Sequence, residues 1–284
     1  MKDIVINMET IENEILKVSV NPLGGEISSI IDKRTGKELF YDGRGSWHCQ
    51  DHILFPFIGP CKDYVINGKH YSCPTQHGFV RTSTLKTVSN SVSSLILSME
   101  DSDETRKIFP FSFVLHVTYK LSSNSLERKY EVINRGKEEI PFSLGDHAAY
   151  KIRFGKAKLC IGTRDRYLPR KEDFLLHEEE KFDKGPMYLL SREDFHKYET
   201  IVLINDNSPL YLITVEGERI TYDFNSPYIA IWSAGKEEDN FVCVEPWWGL
   251  PPYYGMKEEV KDRKDINISK ETLELSDKTS FNLI

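Results

Sequence analysis

One glutamate and two histidines stand in settings where proton chemistry is possible. The segment Val242-Cys243-Val244-Glu245-Pro246-Trp247-Trp248-Gly249 ends an apolar run on a carboxylate, followed at once by proline and two indoles. A carboxylate drawn into apolar surroundings is desolvated, which raises its pKa and leaves it protonated or reactive unless it is paired. Indoles beside it offer apolar faces to the C–H patches of a pyranose ring. A strand-end glutamate above a tryptophan-rich core rim is the plainer reading of the same residues. In His77-Gly78-Phe79-Val80-Arg81, extended backbone would put His77, Phe79 and Arg81 on one face. That face suits a polar, ring-shaped ligand, although a satisfied structural histidine also accounts for it. In Ser143-Leu144-Gly145-Asp146-His147, Gly145 permits a close backbone approach or a bulge. Adjacent residues of a strand face opposite ways, so Asp146 is not automatically the partner that orients His147. In Trp47-His48-Cys49-Gln50-Asp51-His52, a metal would use His48, Cys49 and His52. The spacing is loose and no second cluster completes the set, so no metal and no cofactor is expected.

These groups must be positioned by strands. Ile15–Val20 and Phe113–Tyr119 alternate with a period near two, the signature of a half-buried strand. Similar segments follow at Arg128–Ile133, Ile201–Asn205, Leu210–Val215, Arg219–Phe224, Ile229–Trp232 and Phe241–Glu245, with a last strand within Thr272–Ile284. Turn formers separate them, and Asn67-Gly68 is a strong hairpin signal. Leu54–Asp63 reads as a buried strand turning sharply into a loop, since its prolines and glycine forbid a central strand throughout. No amphipathic helix longer than about two turns is evident. The polar stretch from Thr163 to Tyr198 is expected to be a loop-rich excursion or lid. With neither a linker nor an internal repeat, the expectation is an all-β, single-domain antiparallel sandwich or barrel over residues 1–284.

Composition narrows the partners. The 284 residues carry 37 Lys+Arg against 44 Asp+Glu, a net charge of −7. That balance opposes a nucleic-acid role, which needs a basic face to neutralise phosphates. No run approaches the length of a membrane span, and Met1–Val5 lacks a signal segment. The five cysteines, Cys49, Cys61, Cys73, Cys160 and Cys243, form no C-x-x-C pair, so reduced thiols in a cytoplasmic protein are expected. A monomer or weak homodimer with a small-molecule partner fits this profile.

Taken in order, the motifs resemble the aldose 1-epimerase (galactose mutarotase) family, in its lactose-operon-associated bacterial branch. The resemblance is carried by Asn21–Gly25, Leu54–Gly59 with Lys62-Asp63, His77–Arg81, Ser143–His147, Asp223-Phe224 with Pro227-Tyr228, Ile231–Ser233 and Cys243–Gly249. It implies a β-supersandwich with a sugar in a concave groove. It further implies Glu245 as general base, His147 as acid and His77 as the assisting histidine, with Arg81, Lys62, Asp146, Trp232 and Trp247 as sugar contacts. Interconverting anomers removes the C1 hydroxyl proton while protonating the ring oxygen; the ring opens, C1–C2 rotates and closure reverses both transfers. A carboxylate and an imidazolium on opposite sides of the hemiacetal, across a small cavity, suffice. Burial against Trp247 and Trp248 should raise the Glu245 pKa, and a neighbouring carboxylate should raise that of His147. Two residues depart from the family pattern. Pro60 replaces an arginine after the Ile-Gly step, with Lys62 as a partial substitute, and Ala148 follows the acid histidine in place of proline. Two alternatives to a free-hexose mutarotase follow. One is a hexose 6-phosphate epimerase, using Arg81, Lys62 or a basic residue of Lys151–Arg170; the other is a non-catalytic carbohydrate sensor.

Overall fold

The computed structural model describes residues 7–283; Met1–Val5, read above for a signal segment, and Ile284 lie outside them. Two large antiparallel sheets dominate. One has nine strands, in the order Met187–Leu189, Lys158–Cys160, Leu210–Ile213, Glu218–Phe224, Thr272–Leu283, Ser125–Asn134, Phe113–Ser122, Ser94–Glu100 and Lys86–Asn90. The other runs Glu180–Lys181, Arg166–Leu168, Thr200–Ile204, Tyr228–Trp232, Phe241–Trp248, Leu144–Asp146 and Ile53–Leu54, with Ala149–Lys151 also pairing to Phe241–Trp248. A four-stranded sheet, Glu9–Glu12 to Lys37–Glu38, adds the N-terminal part. The all-β expectation holds, as do the strands read from period-two alternation, to within a few residues.

Period-two alternation explains how the second sheet serves two surfaces. Along Phe241–Trp248, Val242, Val244 and Trp248 enter the main core, together with Ile229 and Ile231 of the next strand and Ile201 and Leu203 of the one beyond. The intervening residues Phe241, Cys243, Glu245 and Trp247 take the opposite face, joined by Tyr228, Ala230, Trp232 and Val202. Every residue of Phe241–Trp248 is buried, because both faces are covered. The functional candidates therefore ride on the outer face of a strand whose inner face is locked into the core.

The Asn67-Gly68 hairpin forms as expected between Tyr64–Ile66 and Lys69–Tyr71. Both turn residues have positive φ, 52° and 72°, the requirement of a type I′ turn. The excursion from Thr163 to Tyr198 is less irregular than the sequence suggests. It holds three short strands and a helix, Arg192–Tyr198, whose Ser191 and Asp194 form a capping box. No helix among the described residues is long and apolar enough to cross a membrane.

Candidate active site

A cavity of ≈ 320 Å³ opens on the outer face of the second sheet. Its floor carries Glu245, His147 and Trp247, its walls include Trp47 and Trp232, and His52, His77 and Arg81 approach from the preceding loops. Strand register sets the central pair. Leu144 and Gly145 stand opposite Trp248 and Trp247, and Ala149 stands opposite Cys243. The alignment is the same on either side of the short break, so His147 falls across from Glu245. Their side chains meet, with His147 Nε2 3.5 Å from Glu245 Oε1. Gly145 makes this approach possible, because a Cβ there would lie 2.7 Å from the Pro246 carbonyl oxygen and 2.9 Å from Trp247 Cδ1.

The pair differs from the sequence reading in two respects. The two side chains do not face each other across the cavity; they touch on its floor. Second, no charged neighbour lifts the His147 pKa. Burial dominates and pulls it down to about 3, while burial pushes Glu245 well above the ordinary carboxylate range. Trp247 Nε1 donates to Glu245 Oε2 at 3.0 Å, which opposes that rise, and Oε1 has no hydrogen-bond partner. Burial thus favours a protonated carboxyl beside a neutral imidazole.

His77 enters from a different backbone from the one expected. The segment is not a strand: His77 has φ 64° and Gly78 φ 76°, and Val80–Thr82 is a turn of 3₁₀ helix. Gly78 is required here, since a Cβ would sit 2.0 Å from the Phe55 carbonyl oxygen. The turn sends Phe79 into the core while His77 and Arg81 still reach the cavity. The Gly59 N–H donates to His77 Nδ1 at 3.0 Å. An imidazole accepting at Nδ1 carries its proton on Nε2, so neutral His77 is a hydrogen-bond donor. Burial holds its pKa well below the usual histidine value, with His147 and Arg81 adding to the effect.

Two expected sugar contacts lie elsewhere. Lys62 is exposed and outside the cavity lining, so it does not replace the arginine lost at Pro60. Asp146 points away from the groove, as strand alternation requires of a neighbour of His147. Its Oδ1 is ion-paired with Arg128 Nη2 at 2.8 Å, and its Oδ2 accepts from the Tyr130 hydroxyl at 3.1 Å. Arg128 also binds Asp51 at 2.7 Å and approaches Asp277 at 3.7 Å, and Asp51 accepts the His147 N–H at 3.2 Å. Asp146 therefore belongs to a buried charge cluster that supports the floor from behind. Asp194, a helix-capping residue paired to Lys184, is likewise remote from the lining.

The sequence reading missed several cavity residues. His52, weighed there only as a metal ligand, is 4% exposed; its Nε2 lacks a partner, and its ring centroid lies 4.9 Å from that of His147. Its pKa is held well below normal by burial, then by His147 and Arg81. His48 is exposed on the loop, apart from His52. Among the described residues, the set of three possible ligands that comes together is His147, Cys243 and Glu245. From the excursion come Arg170, Phe174 and Leu176. Arg170 is paired to Glu199 at 3.1 Å and its guanidinium lies over the Phe174 ring; this lip falls within the Thr163–Tyr198 stretch expected to be an excursion or lid, although Phe174 and Leu176 were not singled out. Arg81 donates to the Gln76 carbonyl at 3.3 Å and lies 4.0 Å from Cys49 Sγ, and has no ion pair among the described residues.

The antiparallel two-sheet architecture is that of galactose mutarotase-like proteins. A galactose mutarotase-like protein from Lactobacillus casei superimposes with a TM-score of 0.89 at 26% identity, covering 97% of this chain and all of that one. The galactose 1-epimerase of Lactobacillus acidophilus shares the fold at a TM-score of 0.76 and 15% identity, over 96% of this chain and 93% of that one. The LacX protein of Lactococcus lactis is 24% identical over 84% of this chain and 87% of its own length. The aldose 1-epimerase family model matches residues 8–254, and the chain belongs to that family.

Proposed function

We propose that the protein is a mutarotase that interconverts the α and β anomers of a hexose by ring opening and closure. The observation that carries this reading is the Glu245–His147 contact on the cavity floor. Ring opening would use the ionised pair: Glu245 takes the O1 proton as His147 gives one to O5. It would leave a protonated carboxyl and a neutral imidazole, the state that burial favours. Closure on the other face would start from that state and restore the ion pair. Burial thus stabilises the proton arrangement of the open-chain intermediate, while sugar hydroxyls donating to Glu245 Oε1 favour that of the ring form. His77 Nε2–H is suited to donate to a sugar oxygen, and Trp47, Trp232 and Trp247 supply apolar walls. Nothing in this scheme requires a cofactor. One core spanning both large sheets supports a single working domain, and five free thiols suit a reducing cytoplasm, with a monomer or weak homodimer sufficient because the site is complete within one chain.

Arg81 favours a second reading of the substrate. A cavity-lining guanidinium without an ion-pair partner among the described residues matches an anionic group on the sugar, such as a 6-phosphate. Polarimetry on freshly dissolved α-glucose, α-galactose and their 6-phosphates tests both forms. Acceleration of the free sugars supports the first. Acceleration confined to the phosphates, lost in Arg81→Gln, supports the second. Tight sugar binding without acceleration in any arm would make the protein a sensor and refute the mutarotase assignment.

A further inference from the structure

We propose that His147, Cys243 and Glu245 also form a binding site for a borderline-soft divalent cation such as Zn²⁺, and that the ion switches the acid–base pair off. One donor atom from each residue lies within 4.8 Å of the others. Cys243 and Glu245 are two residues apart on one strand and share its outer face, and His147 comes from the chain crossing opposite. All three are at most 8% exposed. Cys243 and Glu245 are held by sheet hydrogen bonding, and the His147 N–H, in the short break opposite, is held by Asp51 Oδ1 at 3.2 Å.

The donor set suits the ion. Imidazole, thiolate and carboxylate are the ligand types of zinc sites, with bond lengths of about 2.0–2.3 Å, so small side-chain rotations close the set around a cation. Glu245 Oε2 is committed to Trp247 Nε1, whereas Oε1 has no hydrogen-bond partner. Charge also balances: the thiolate and carboxylate neutralise the two positive charges, so the loaded site buries no net charge. Binding releases the thiol proton, and the carboxyl proton where Glu245 carries one, to solvent. Because Glu245 and His147 line the cavity, the ion enters through its mouth and keeps an open position toward it for water. Once bound, His147 Nε2 and Glu245 Oε1 are occupied and cannot move a proton.

The same geometry makes the occupant reversible. Among the described residues His147 Nδ1 has no hydrogen-bond partner, so the imidazole lacks the carbonyl or carboxylate that stiffens the histidine of a resident metal. Cys243 belongs to the apolar cluster of Tyr41, Ala149 and Phe241 and does not line the cavity. It can therefore be replaced without touching the acid–base pair.

Metal-stripped wild-type protein titrated with Co²⁺ in the absence of sugar should develop a thiolate-to-cobalt charge-transfer absorption saturating at one equivalent, which Zn²⁺ abolishes by displacement. Zn²⁺ should inhibit anomer interconversion, and chelator should restore it. Cys243→Ala, and Cys243→Ser in case the smaller residue disturbs packing, should lose the absorption and resist Zn²⁺ by more than about tenfold while retaining turnover without metal. His147→Gln should also lose the absorption. Absence of the band in wild type, or equal zinc sensitivity in the Cys243 variants, overturns the proposal by placing the ion elsewhere. The cobalt spectrum involves no sugar, so its failure is distinct from a failure of the mutarotase reading.

Discussion

Replacing Glu245 by Gln removes the proposed base while leaving the shape of the site intact. The amide oxygen can still accept from Trp247 Nε1, as Oε2 does now at 3.0 Å. The amide nitrogen then takes the place of Oε1, 3.5 Å from His147 Nε2, and can donate to it. Packing is preserved but proton transfer is not. A positioned general base is worth about 10²–10⁴-fold, so kcat should fall by that factor, roughly 2.7–5.5 kcal/mol of barrier. Stability should move the other way. Burial raises the folded-state pKa of Glu245 well above its ordinary 4.5. Between that value and the folded pKa the native protein binds more protons than the unfolded chain, so the wild type loses stability as pH rises, by about 1.4 kcal/mol per pH unit for one group. Glutamine has no such loss. Polarimetry on a fresh α-hexose gives kcat, and urea denaturation from pH 5 upward gives stability. The variant should be nearly inactive and, in relative terms, increasingly stable as pH rises. Turnover within about threefold of wild type, or a stability gap that narrows with pH, would refute the assignment of Glu245 as a buried base.

Two further outcomes follow from the floor of the cavity. His52, His77 and His147 are all held neutral by burial; their folded pKa values lie below the unfolded 6.5, so stability is present above that pH and is lost as pH falls toward about 3 for His147. Asp277, raised to about 6 from 3.8, acts in the opposite sense between those two values. Urea midpoints measured from pH 7 to 4 should therefore fall less steeply in His52→Asn than in wild type, and parallel slopes would show that His52 titrates normally. Arg128→Met would leave Asp51, Asp146 and Asp277 buried without their shared cation. A loss of about 3–5 kcal/mol in denaturation is expected, and a loss below about 1 kcal/mol would mean that the cluster does not hold the floor.

Much of this molecule was readable from residue order. Alternation along Phe241–Trp248 assigns Val242 and Val244 to one face and Cys243, Glu245 and Trp247 to the other, because a strand has no third option. The same rule separates Asp146 from His147. Asn67-Gly68 specifies its hairpin through the positive φ that these residues accept. Local periodicity sufficed wherever the controlling interaction was local.

What surrounds those residues was decided elsewhere. The left-handed turn at His77-Gly78 is imposed by the Phe55 and Gly59 backbones, far away in sequence. Asp146 became a core ion-pair partner because Arg128, on the other large sheet, reaches it. His52 entered the site through a chain crossing that leaves no mark on its own segment, and which residues of the Thr163–Tyr198 excursion reach the cavity was settled only by its packing. The direction of the His147 shift followed from how completely the fold removes water from it, which one residue's neighbours in sequence do not reveal. Strand identity and facing are one-dimensional properties; solvation, tautomer and charge pairing depend on atoms brought together across the fold, and only the tertiary structure supplies them.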